Sequence, residues 1–172
     1  MSIESRRQRL LAGRPQPLRD AATASRELLH AAHLLEQRID AALAPGGLHM
    51  REYLALRLLS DSVHEPLRPT SLSVALNATR TQITRLLDAL ENKGLVARSL
   101  HAHDRRSLQI ALTAAGTHAL AQAVPLVEAV YAGAWAPLGE GVHTMAQQLG
   151  QVHAHLRHGA ATPPGETQDA AP

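Results

Sequence analysis

Apolar residues recur at Leu28, Ala32, Leu35, Ile39 and Leu43, the spacing that keeps one face of a helix greasy. A long helix is therefore predicted from about Leu18 to Leu43, and Ala44-Pro45-Gly46-Gly47 ends it. A second helix fits Met50 to Ser60, with Leu54, Leu58 and Leu59 facing inward, and HEPLRP (64–69) reads as a turn. TSLSVALN (70–77) is a short helix starting on Thr70 as N-cap and ending at Asn77, a residue that tolerates the left-handed conformation. Thr79 opens the next helix with Gln82 three residues on, the spacing of a capping box. Ile83, Leu86, Leu87 and Leu90 form its buried stripe, and Gly94 terminates it.

Beyond Gly94 the period changes. LVARSL and LQIAL are short extended runs around a polar six-residue tip, HAHDRR (101–106). Thr113 then caps a helix carrying Leu120, Val124, Val127 and Tyr131, in which Pro125 predicts a kink or a restart. Met145, Leu149, Val152 and Leu156 mark a last helix. The fold class is mainly α with a small β-hairpin wing (α+β). Two helices joined by a tight turn, the second strongly capped and followed by a hairpin, make a winged helix-turn-helix.

Composition agrees with a helical core built without large rings: there is no Phe, one Trp and two Tyr. The absence of cysteine removes disulfides, thiolate metal sites and thiol redox sensing. The N-terminal SRRQRLL is followed by AGRPQPLRD, which lacks the apolar stretch of an export signal, and no uninterrupted apolar run approaches the ~20 residues of a membrane span. A cytoplasmic location is expected. The net charge of +2 conceals an uneven distribution. Residues 68–106 hold seven Lys and Arg against three Asp and Glu, which directs an anionic partner to the middle of the chain.

The first turn of the capped helix offers Thr79, Arg80, Thr81, Gln82, Thr84 and Arg85. Arginine pairs bidentately with guanine, glutamine with adenine, and hydroxyls reach phosphates or bases. Capping alone would explain Thr79 and Gln82, so Arg80, Thr81 and Arg85 are the residues whose exposure needs another reason. The HDRR tip, taken alone, reads equally as a solvated loop salt bridge. With the capped helix before it, a slender cation suited to a narrow minor groove becomes the better reading.

PTSLSVALNATRTQITRLLDALENKGLVARSLHAHDRRSLQIALTAAG (69–116) resembles the core of the MarR family of bacterial transcriptional regulators. The capped helix, the Asp-x-Arg of the wing (Asp104 and Arg106) and the closing Leu112-Thr113-x-x-Gly116 fall in register; Asn77 stands where glycine is frequent. The resemblance implies a flexible basic arm (1–17), an N-terminal dimerisation helix (18–47), and a winged helix-turn-helix DNA-binding domain (48–112). Within that domain the recognition helix spans about 79–93 and the wing about 95–112. C-terminal dimerisation helices (113–158) and a disordered tail (159–172) complete it. It further implies a homodimer that represses by binding a near-palindromic double-stranded DNA operator, released by a small aromatic or phenolic carboxylate. In that frame Arg106 enters the minor groove, Asp104 orients the wing arginines, and Arg105 is a phosphate contact or a spectator.

His30, His33, His49, Arg51, Tyr53 and Arg57 lie on the two helices that line the family's ligand cavity, where they could meet an anionic ring; surface or interface polarity accounts for any one of them equally simply. Eleven histidines raise a metal-responsive alternative, with His101/His103 and His153/His155/His158 as the densest groups. Complete sites recruit Cys or carboxylates as well, so exposed histidine is the simpler reading and no metal or other cofactor is assigned. A winged helix used for protein–protein contact is the remaining alternative. No nucleophile–base arrangement or phosphate-binding glycine loop points to an enzyme.

Overall fold

The computed structural model describes residues 12–61, 69–101 and 104–159; at 100, 101, 104–108 and 159 it describes the backbone alone. Among these residues the order is α1 (Gln16–Leu43), α2 (Met50–Ser60), α3 (Pro69–Ala75), α4 (Arg80–Asn92), β1 (Val96–His101), β2 (Asp104–Leu112), α5 (Ala114–Trp135) and α6 (Gly141–Gly159). The chain divides into two compact units, residues 1–131 and 132–172. Most of the predicted basic arm, the body of the HEPLRP turn, His103 and the tail from 160 lie outside the described residues.

Helix α1 begins two residues earlier than the apolar pattern predicts, because Pro17 sits in its first turn, where no backbone N–H is needed. A 3-10 turn, Ala44–Gly46, and Gly47 at φ 68° end it. Only the C-terminal end of its stripe is buried, at Ile39 and Leu43; Leu28 is exposed. Helix α2 matches the predicted span, but its deepest residues are Ala55, Leu56 and Leu59, while Leu54 and Leu58 are half-buried. Helix α3 starts at Pro69, so Thr70 lies inside its first turn rather than preceding it as a cap. Asn77 takes φ 45°, the left-handed conformation expected there. The turn is closed by Leu76 N–H to Leu72 C=O (2.9 Å), Ala78 N–H to Ser73 C=O (2.9 Å) and the Ser73 hydroxyl to the Ala78 carbonyl.

Leu72, Ile83, Leu87 and Leu90 of the helix-turn-helix join Ile39, Leu43, Leu56, Val96, Ile110, Leu120 and Val127 in one core within the first unit. Each fully buried Leu or Ile contributes roughly 1.5–3 kcal/mol. The wing is an antiparallel pair with Val96 opposite Leu112 and Arg98 opposite Ile110. Both strands run further than predicted: β1 reaches His101 and β2 starts at Asp104, with an irregular register between Leu100 and His101. Asp104, Arg105 and Arg106 thus lie on a strand rather than in a six-residue loop.

Thr113 caps α5 as predicted, its hydroxyl accepting from Gly116 N–H (3.0 Å) and donating to Gly94 C=O (2.7 Å). Pro125 does not divide this helix. It lies on an exposed face beside exposed Ala121, so the carbonyl that loses its N–H partner can be met by water. One expectation is corrected here. Ala114–Leu138 is long and apolar enough to cross a membrane by length and composition, although polar His118, Gln122 and Glu128 interrupt any continuous apolar run. In the second unit, α6 leaves Val152 and Leu156 exposed.

Candidate nucleic-acid interface

The first turn of α4 is held by a reciprocal cap. Thr79 N–H donates to Gln82 Oε1 (2.8 Å), and Gln82 N–H donates to Thr79 Oγ1 (3.3 Å). The Gln82 amide oxygen is therefore engaged, and its amide nitrogen is what remains for an outside acceptor. A bidentate pairing with adenine, which uses both ends of the amide, would have to open the cap. The Thr84 hydroxyl donates to Arg80 C=O (3.0 Å) and keeps its acceptor lone pairs. Arg80, Thr81, Gln82, Thr84 and Arg85 are all exposed, on the side of α4 away from Ile83, Leu87 and Leu90. Neither Arg80 nor Arg85 has an ion-pair partner among the described residues.

Two cations of the central segment are instead engaged within the chain. Arg98, on β1, pairs with Asp88 (2.6 Å) and Glu91 (3.4 Å) of α4 and so ties the wing to the recognition helix. Its Nε is buried with no hydrogen-bond partner, so this guanidinium serves the fold rather than a ligand. Lys93, the C-cap of α4, pairs with Glu52 at the start of α2 (2.7 Å). Sequence reasoning missed Glu52, Asp88, Glu91, Lys93 and Arg98, because nothing local links residues 41 positions apart; a signal existed only for Glu52, which stands three residues after His49, as in a capping box. With these pairs closed, the positive excess of residues 69–106 rests on Arg80, Arg85, Arg105 and Arg106. The side chains of Asp104, Arg105 and Arg106 lie outside the described residues.

The six ligand candidates are not gathered into one cavity. His30 and His33 are exposed on α1, with His33 Nε2 2.9 Å from the Gln37 amide nitrogen. His49 precedes α2 and lies 4.0 Å from Asp40. Tyr53 is 6 % exposed, and its phenol is pushed above the ordinary tyrosine range by burial and by Tyr131, with Glu128 acting the same way and exposed Arg57 opposing. Arg51 lines a separate hollow of about 290 Å³ with Leu76, Ala78, Gln82, Ile83, Arg85 and Leu86, between α2 and α4. A second hollow of about 410 Å³ lies between the α1–α2 turn and α5, lined by Leu43, Pro45, Leu48, Gln122, Ala123 and Leu126 among others. His153, His155 and His158 are exposed on α6, and among the described residues no group of three or more His, Cys, Asp or Glu could hold a metal ion.

A capped, outward-facing helix after a tight turn, tied by Arg98 to a two-stranded hairpin, defines a winged helix-turn-helix protein. The MarR family profile matches residues 48–108. The HTH-type transcriptional repressor YetL of Bacillus subtilis is 39% identical over 79 residues, covering 46% of this chain and 47% of YetL. The HTH-type transcriptional repressor Mb2911 of Mycobacterium bovis is 33% identical over 121 residues, 68% of this chain and 86% of that protein. The M. tuberculosis transcriptional regulator MosR, solved in complex with DNA, superposes with a TM-score of 0.63 at 33% identity, covering 78% of this chain and 98% of that one. The chain belongs to the MarR family. It spans about half the length of YetL.

Proposed function

We propose that the chain is a DNA-binding transcriptional regulator of the cytoplasm that acts as a homodimeric repressor. Two copies present α4 to successive major grooves of a near-palindromic operator, about one helical turn (~34 Å) apart, and their wings reach the flanking minor grooves through Arg106. The carrying observation is the first turn of α4, where Arg80 and Arg85 stand in solvent without acidic partners beside a hydroxyl-rich cap. The likeness to MosR, solved with DNA, and to two proteins named repressors supports the reading.

Exposed Leu28, Leu29 and Leu34 on α1, Leu126 and Tyr131 on α5, and Val152 and Leu156 on α6 support the dimer, since a second copy would cover apolar surface that one chain leaves in water. The effector is a small aromatic acid. Its seat is the hollow where Arg51 and Arg85 supply charge and Leu76, Ile83 and Leu86 supply an apolar floor. Because Arg85 also faces the DNA side, occupancy there competes with operator contact.

Gel-shift titration against duplexes tiling the DNA upstream of its own coding sequence tests the proposal. The dimer is expected to retard one duplex selectively, and a benzoate-class acid is expected to release it. No selective retardation at low salt by a chain shown to be dimeric would rule out the operator reading.

A further inference from the structure

Lys93 is the chain's single lysine; the other sixteen of its seventeen Lys and Arg residues are arginine. It caps the C-terminus of α4, with its backbone N–H bonded to Ala89 C=O (3.1 Å). Its ammonium has three N–H groups and three acceptors: Gly47 C=O, Glu52 Oε1 and Glu52 Oε2, each at 2.7 Å. No donor is left over for a phosphate. A compact tetrahedral ammonium suits this cluster better than the flat fork of an arginine.

Glu52 is equally occupied. It is 5 % exposed, the only buried charged residue among those described, and Oε2 also accepts from His49 N–H (3.0 Å) in the cap of α2. One residue further, Met50 N–H donates to Asp40 Oδ1 of α1 (2.6 Å). A continuous polar connection therefore runs from α1, through the first turn of α2, to the last residue of the recognition helix.

We infer that Glu52 and Lys93 are positioning residues for DNA binding: their ion pair fixes the C-terminal end of α4 against the α1–α2 junction and thereby sets the angle at which Arg80 and Arg85 meet the groove. This rests on the DNA-binding reading above. Two other roles for Lys93 predict different behaviour. A direct phosphate contact would make the salt dependence of affinity shallower when the charge is removed. General electrostatics would make Glu52→Gln bind DNA more tightly, since it removes a negative charge.

The test compares wild type, Glu52→Gln, Lys93→Met, the double variant and Lys93→Arg on the duplex that wild type retards. Titrations run at several salt concentrations and well below the melting temperature of each dimer. Glutamine preserves the α2 cap, so Glu52→Gln is expected to fold even where Lys93→Met is less stable. The expected result is affinity weakened about tenfold in either single variant, the scale of one misplaced base contact. The salt slope should be unchanged, the double variant no weaker than Lys93→Met, and affinity partly restored in Lys93→Arg. Glu52→Gln binding as tightly as wild type or tighter, or a slope shallower by about 0.9 in Lys93→Met, would overturn the latch. A wild-type dimer that binds no duplex removes the DNA reading and the latch with it, whereas binding that is equal across the set removes the latch alone.

Discussion

The carbonyl of Leu95 lies where a side chain on Gly116 would have to be: a Cβ built on Gly116 would stand 1.9 Å from the Leu95 oxygen. The first turn of α5 is thus pressed backbone to backbone against the root of the wing, and the Leu95 carbonyl also accepts from Thr113 N–H (3.1 Å). Gly116→Ala is expected to lower stability by about 3 kcal/mol, the upper part of the usual overpacking range, because the clash is with main chain and cannot be relieved by a rotamer. Thermal unfolding should register a fall of roughly 6–12 °C. A melting temperature within 2 °C of wild type would mean that the contact is looser than this.

Thr79 separates capping from recognition. Thr79→Ala is expected to cost about 1 kcal/mol in urea unfolding, whereas Thr79→Ser should keep the cap and the stability. If the serine variant is stable yet loses operator affinity, the threonine methyl itself touches a base; if it binds like wild type, Thr79 acts only through the helix.

Arg80 and Arg106 should differ in what they read. Replacing Arg106 with Ala is expected to weaken binding to an operator with a narrow, A·T-rich flank more than to one with a G·C flank, and to reduce the salt slope by about 0.9. Arg80→Ala, as the loss of a base reader, should weaken operator binding more than binding to unrelated duplex; equal losses on both would make it a phosphate contact.

Tyr53 carries a pH dependence with a definite sign. Its phenol is raised above the ordinary value of 10.0 in the fold, so the unfolded chain ionises first. The stability this contributes is present below pH 10 and is lost as pH climbs from there through the folded value. Unfolding measured between pH 9 and 11 should show a decline that is smaller in Tyr53→Phe; identical profiles would show that the burial is not felt.

Helix α4, its cap, the left-handed Asn77 and the span of α2 were legible because each is set by residues within a few positions of one another. The hairpin was legible from the change of period after Gly94, but not the length of its strands, since polar residues 104–106 carry no pattern of burial. The same locality explains the failures at Leu54 and Leu58. The α2 stripe was placed one step round the helix from Leu56, because which face is inward depends on Ile39 and Leu90, far off in the chain. Pro125 misled for a related reason: whether a proline breaks a helix depends on what surrounds the carbonyl it orphans, and that is a tertiary fact. In the candidate site, the exposed face of α4 was readable, but the ion pairs at Glu52, Asp88, Glu91, Lys93 and Arg98 were not. They turned two apparent nucleic-acid contacts into internal ties.

One lysine in the whole sequence leaves a lysine-specific endoproteinase a single target bond, Lys93–Gly94, at the seam between the recognition helix and the wing. In the folded chain that bond follows a helix cap and an engaged ammonium, so cleavage needs a local opening. The nicking rate is therefore a built-in clock for how often this corner of the molecule comes apart. Anything that steadies the corner, DNA included, would slow it.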